Sequence, residues 1–230
     1  MPVLFAQLGS LLSLLSLSYC LYFYAVVLAV PGGGSSGSLA ATAVFDTALF
    51  STFALHHSLL ARTRAKRWIR GILAPELERG VYVWVASLLL ILVCALWQPL
   101  PGTAWTLTQP WRSLGYLAQL LGAFLVWRGA AVVDPQELAG IRQARRDTPL
   151  PTFRIVGPFR VVRHPIYLGL MLMLLAAPAM TMSRLLFACV SCVYLLVAIP
   201  FEERSLLETF GDRYRAYQSS VRWRIVPGIW

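Results

Sequence analysis

The sequence predicts an all-α, multi-pass membrane protein: a helical bundle of four spanning helices followed by a C-terminal helical hairpin. That makes 5–6 transmembrane segments, with both termini cytoplasmic. Three observations carry this. The 230 residues are 58% hydrophobic and only 13% charged, where a soluble domain holds roughly a quarter charged residues. Mean hydropathy is +0.66. The apolar residues gather into runs, and the loops between them alternate between uncharged and basic.

The first run, 4–30, lacks a basic leader and exceeds the apolar core of a signal peptide, roughly 7–15 residues. It reads as a retained span. Runs 39–60, 81–97 and 114–133 follow. Each is near the roughly 17–25 apolar residues that a crossing helix needs. Runs 166–182 and 185–199 are shorter and separated only by Ser183-Arg184, so they read as a tight hairpin. Pro200 is expected to interrupt its second arm just before Glu202 and Glu203.

The loops set the topology. Segments 31–38 and 98–111 carry no charge. Segment 62–70 holds Arg62, Arg64, Lys66, Arg67 and Arg70. Segment 134–165 holds Arg142, Arg145, Arg146, Arg154, Arg160 and Arg163, and the tail adds Arg204, Arg213, Arg215, Arg222 and Arg224. The positive-inside rule places both termini and both basic loops in the cytoplasm. The net charge of +10 is thereby read as topology, with no nucleic-acid partner. Two parts follow: the N-terminal transmembrane helices, 1–133, and a cytosolic cap segment, hairpin and tail, 134–230.

Cys20, Cys94, Cys189 and Cys192 lie in apolar runs and read as small core residues, not as metal ligands or disulfides. Zinc-ligand spacing, a phosphate-binding glycine loop and GxSxG are absent from the sequence. No metal is expected.

Chemistry concentrates at the hairpin mouth. Arg163-His164-Pro165 opens its first arm and Glu202-Glu203 ends its second. Pro165 suits a first helical turn, whose free N–H groups bind anions. Tyr167 and Gly169 follow, Gly169 admitting close approach of a ligand or a helix. Paired carboxylates beside hydrocarbon need partners. They are either an interfacial salt-bridge cluster or a site.

Three further groups stand out. Asp46, His56 and His57 lie on the second run, with Asp46 and His57 sharing a face at eleven residues' separation. Asp46 is a buried polar contact between helices or a functional group, and the two histidines face lipid headgroups or line a pocket. Segment 137–143 with Arg145 and Arg146 is a helix lying on lipid headgroups, or a cap in which Gln143 touches a ligand. Tyr214, Tyr217, Trp223 and Trp230 form an interfacial aromatic belt.

The set Gly157-Pro158-Phe159-Arg160-Val161-Val162-Arg163-His164-Pro165-Ile166-Tyr167-Leu168-Gly169, Glu202-Glu203 and Gly211-Asp212-x-Tyr214-x-x-Tyr217 resembles the isoprenylcysteine carboxyl methyltransferase and phospholipid methyltransferase superfamily. Phe53-Ala54-Leu55-His56-His57-Ser58, Lys66-Arg67-Trp68, Glu78-Arg79-x-x-Tyr82, Glu137-Leu138-x-Gly140-Ile141-Arg142-Gln143 and Thr181-Met182 extend it toward the bacterial methanethiol S-methyltransferases and their NnrU-like relatives.

The resemblance implies an S-adenosylmethionine-dependent enzyme of the bacterial cytoplasmic membrane, its site facing the cytoplasm. It would methylate a small volatile thiol, turning methanethiol into dimethyl sulfide. It implies cofactor contacts at Arg163, His164, Pro165, Tyr167, Gly169, Glu202, Glu203, Gln143 and Tyr214. A thiol acceptor must lose its proton, so His164, His57 and Glu203 are candidate bases and Arg163 the candidate cation. The superfamily also holds methyltransferases for lipid-like or prenylcysteine acceptors, and non-catalytic membrane accessory proteins.

Overall fold

The computed structural model describes residues 1–33, 38–59, 73–132, 135–147 and 153–230. The basic loop 62–70, with Lys66-Arg67-Trp68, lies outside the described residues, as do Asp134 and part of loop 31–38.

The chain is mostly helical. α1 (Pro2–Tyr22) is extended by a π-helical turn, Phe23–Val27. Then come α2 (Leu39–Leu59), α3 (Pro75–Leu96), strand β1 (Thr103–Thr106) and α4 (Trp111–Ala130). Short α5 (Pro135–Leu138) and α6 (Ile141–Ala144) precede a 3-10 turn, Gly157–Arg160. The chain closes with α7 (Pro165–Leu175), β2 (Ala179–Thr181), α8 (Met182–Phe210) and α9 (Asp212–Ser220).

Among the described residues, four helices are long and apolar enough to cross a membrane: Pro2–Val27, Leu39–Ser58, Pro75–Leu96 and Met182–Phe210. Their outer faces carry exposed large apolar side chains, among them Leu11, Leu14 and Leu17 on α1 and Val193 and Val197 on α8. Water disfavours such stripes and hydrocarbon accommodates them.

Four details differ from the expectation. Run 114–133 forms α4, 20 residues long, but α4 is not one of those four helices. Gln119, Arg112 and Arg128 dilute its hydropathy. Pro200 does not end a helix: α8 runs unbroken through it for 29 residues. Membrane helices tolerate proline where neighbouring groups take up the freed carbonyl. The all-α class needs a small amendment, since β1 and β2 pair as a two-stranded ribbon, and the first hairpin arm stops at Leu175 instead of 182. At 11 residues and 1.5 Å per residue, α7 is about 16 Å long, too short for a core of about 30 Å.

The chain forms two compact units. The first comprises 1–102, 134–150 and 181–186. There α1 and α3 pack closely, with the Phe5 and Trp84 rings stacked at 5.6 Å and Trp84 Nε1 donating to the Phe5 carbonyl at 3.0 Å. The π-helical turn leaves carbonyls that Arg184 takes up, donating to Tyr24 at 3.0 Å and Ala25 at 2.7 Å. Asp46 is wholly buried, and its Oδ1 accepts the Gln98 N–H at 2.9 Å.

The second unit comprises 103–133, 151–180 and 187–230. Its core is the crossing of α4 and α7 at Gly122 and Gly169. A Cβ on Gly122 would lie 2.5 Å from the Gly169 carbonyl, and the reverse distance is also 2.5 Å. Only glycine permits this approach. Gln119 adds a bond to the Met173 carbonyl at 2.9 Å.

Candidate functional site

The second unit builds the hairpin mouth. Val162, 2% exposed, anchors the approach to α7. The next two residues pair with the tail: the Arg163 N–H donates to the Trp223 carbonyl at 2.9 Å and the His164 N–H to the Arg224 carbonyl at 2.8 Å. Pro165 then opens α7, with no side chain capping the helix start. The first intrahelical bond made here comes from Leu168 to His164, so the N–H groups of Ile166 and Tyr167 lie ahead of the ladder.

The continuity of α8 decides what the two glutamates do. Adjacent residues on a helix point about 100° apart. Glu203 therefore faces inward, with a side chain 6% exposed, while Glu202 keeps 43% of its own exposed.

Glu203 is the hub. Its Oε1 accepts from Arg163 Nε at 2.7 Å and lies 3.3 Å from His164 Nε2. Its Oε2 accepts from Gln218 Nε2 at 3.3 Å and lies 3.4 Å from Arg224 Nε. Glu203 thus has four polar neighbours, two on each oxygen. Arg163 is committed too, its Nη1 donating to the carbonyls of Val221 at 2.8 Å and Arg222 at 2.9 Å.

His164 lies between both carboxylates, with Nδ1 3.5 Å from Glu202 Oε2. Burial opposes its charge, but hydrogen bonds to Glu202 and Glu203 outweigh burial and raise its pKa above the usual imidazole value. It stacks on Tyr167 with ring centroids 5.4 Å apart, and Tyr167 hydrogen-bonds Glu202. The open edge of the network is thus Glu202 and half-buried Tyr167, backed by His164.

Beneath lies an aromatic floor. Phe153, Phe210, Tyr214 and Tyr217 pack together. Tyr217 donates to the Phe159 carbonyl at 2.7 Å, and burial pushes its pKa up to about 12. Tyr214, 1% exposed, is also raised by burial and by the nearby Glu203 charge.

Several expectations change. Arg163, His164, Pro165, Tyr167, Glu202, Glu203 and Tyr214 come together. Glu203 is engaged by Arg163, His164 and Gln218, and the two carboxylates beside His164 raise its pKa. Gly169 faces α4 through Gly122. Sequence reasoning missed Gln218 and Arg224. No local pattern marked them; only the fold brings the tail to Glu203.

His57 and Gln143 belong to the first unit. His57 is exposed, and its Nδ1 lies 2.9 Å from the Tyr82 hydroxyl. Gln143 has a buried Oε1 with no hydrogen-bond partner among the described residues.

Residues 144–213 match the phospholipid methyltransferase family. Methanethiol S-methyltransferase 1 of Bradyrhizobium diazoefficiens is 36% identical over 195 residues, 82% of this chain and 68% of that protein. The chain belongs to the methanethiol S-methyltransferase family. The family's Mycobacterium tuberculosis member is 38% identical over 184 residues, 77% of this chain and 75% of that one. Nurim of Bos taurus is more distant, at 29% over 177 residues, 71% of this chain and 67% of that protein. No solved structure matches the chain. The family alignment reaches well beyond the hairpin mouth, whereas the phospholipid methyltransferase match is confined to the segment that contains it.

Proposed function

We propose that this membrane methyltransferase uses S-adenosylmethionine to S-methylate a small volatile thiol, converting methanethiol to dimethyl sulfide. Its site faces the cytoplasm of a bacterial inner membrane, with both termini on that side. The observation that carries the reading is the division of labour between two adjacent glutamates. Glu203 is surrounded by four polar groups, while Glu202 is more exposed, beside His164 and Tyr167.

The residues fit an amino-acid end carrying both charges. Glu202 offers a carboxylate to an ammonium group, and the N–H groups ahead of the α7 ladder suit a carboxylate. Arg163, Glu203 and His164 hold these parts in register, and Pro165 fixes the start of α7. Tyr214 stiffens the floor beneath. When bound, S-adenosylmethionine supplies a methyl carbon made electrophilic by its sulfonium. The chain then needs to align the acceptor and remove its proton.

A thiol acceptor is favoured over a lipid because identity to the thiol-methylating relatives extends over 82% of the chain, including the helices outside the hairpin. A membrane site also suits a small apolar thiol, which partitions into hydrocarbon.

The test is purified protein in detergent with S-adenosylmethionine and methanethiol, following headspace dimethyl sulfide. Turnover with a raised KM for the methyl donor in Glu202→Gln supports the reading. Cofactor binding without turnover of any small thiol refutes the acceptor assignment.

A further inference from the structure

The last turn of the second unit has two faces. Val221 and Ile225 are buried, while Trp223, Val226 and Ile229 are 37%, 36% and 80% exposed. The turn is closed on itself: the N–H groups of Arg224, Ile225 and Val226 all donate to the Trp230 carbonyl, and Ile229 donates back to Val226. A fixed, exposed apolar face of this kind is disfavoured by water and marks a contact surface.

Two relationships within the unit give the level at which this face lies. Stretch 185–201 of α8 carries no charge. Its 17 residues at 1.5 Å each give about 26 Å, close to a hydrocarbon core of about 30 Å. Glu202, Glu203 and Arg204 therefore mark one boundary of that core. Beyond it the chain reverses at Gly211, φ +53°, and α9 returns to the same level, where Gln218 donates to Glu203 at 3.3 Å. The start of α7 agrees. Its apolar helix opens at Pro165, and the two residues before it donate their N–H groups to the Trp223 and Arg224 carbonyls.

Charge identifies the partner. Segment 211–230 carries Arg213, Arg215, Arg222 and Arg224 against Asp212 alone, and Arg222 lies exposed beside the apolar face. Tryptophan belongs at the headgroup level, and arginine there is drawn to anionic lipid. We infer that turn 221–230 is seated in the headgroup layer of an anionic bilayer, with Trp223, Val226 and Ile229 toward the acyl chains and Arg222 on the phosphates. The seat holds the turn, and the turn's carbonyls hold Arg163 and His164. The consequence for methyl-donor affinity rests on the donor site proposed above, whereas the seating itself does not.

The experiment places the protein in nanodiscs of phosphatidylcholine, with or without phosphatidylglycerol. Matched samples carry acyl chains brominated near the headgroup. The fluorescence difference between wild type and Trp223→Phe isolates Trp223. Brominated chains should quench it, more strongly with phosphatidylglycerol present, and less in Arg222→Gln. Absence of bromine quenching in both lipids overturns the inference, whether aqueous iodide reaches Trp223 or a second copy of the chain covers it. Quenching indifferent to phosphatidylglycerol overturns the assignment to anionic lipid. Calorimetry with S-adenosylmethionine reads the consequence: with phosphatidylglycerol, Arg222→Gln should weaken the affinity by roughly fivefold. Unchanged affinity overturns the link from seat to site. If the wild-type protein binds no S-adenosylmethionine, the donor reading fails and the quenching result still decides the seating.

Discussion

Arg163 and Glu203 are 40 positions apart in sequence and joined by a 2.7 Å hydrogen-bonded ion pair, with side chains 7% and 6% exposed. The pair ties the entry of α7 to the C-terminal part of α8. It turns a hairpin of two apolar helices into a rigid mouth.

Removing one partner of a buried pair leaves an uncompensated charge and costs about 3–5 kcal/mol. The two truncations should not be equal. Glu203→Ala strands Arg163, His164 and Arg224 together, whereas Arg163→Ala leaves Glu203 with three other donors. Thermal unfolding in detergent should rank Glu203→Ala below Arg163→Ala. The reverse order would mean that Arg163 matters chiefly for its bonds to the tail carbonyls.

Much of this mouth was legible in the sequence, because Arg163-His164-Pro165 and Glu202-Glu203 are local groups of costly residues at the ends of apolar runs. The full set of groups around Glu203 was not. Gln218 and Arg224 reach it through tertiary folding that no periodicity records. The break expected at Pro200 failed for a related reason. A proline's effect depends on what surrounds the freed carbonyl, and the helix continues in its apolar setting. The apolar runs placed α1 to α3 well, but α4 and α7 depend on glycine contacts and a ribbon, which hydropathy does not encode.

His164 supplies a pH test. Its folded pKa is raised, the net result of burial and two carboxylate partners. Its contribution to stability is therefore fully present below about pH 6.5, the ordinary imidazole value. It is lost as pH rises through the folded value. The melting difference between wild type and His164→Gln should be largest in mild acid and narrow at alkaline pH. A gap that widens with rising pH would show that His164 is neutral in the folded protein.

The glycine crossing makes a separate prediction. Gly122→Ala and Gly169→Ala each place a Cβ 2.5 Å from the facing carbonyl, so α4 and α7 must separate. Overpacking of this kind costs about 1–3 kcal/mol. The two variants should lower the melting temperature by similar amounts and leave methyl-donor affinity close to wild type once folded. A selective loss of donor affinity in Gly169→Ala would restore the ligand-contact role expected from sequence.

The tail makes the sharpest claim, because it lies beyond the matched segment 144–213 yet completes the network. Arg224 reaches Glu203 Oε2 at 3.4 Å and sits 5.1 Å from the Trp230 ring centroid. The Trp230 carbonyl in turn accepts the N–H groups of Arg224, Ile225 and Val226. The closing turn thus holds the arginine in place, while backbone bonds from Arg163 and His164 hold the tail. Arg224 is 34% exposed, so its ion pair is worth little as stability. Its effect should appear in positioning: Arg224→Gln lets Glu203 shift against His164 and raises KM for the methyl donor with a small change in kcat, and Arg224→Lys restores part of the loss. Trp230→Ala should act in the same direction and more weakly, because it removes the stack and leaves the guanidinium. A fall in kcat at unchanged KM would place Arg224 at the reacting atoms and not behind them.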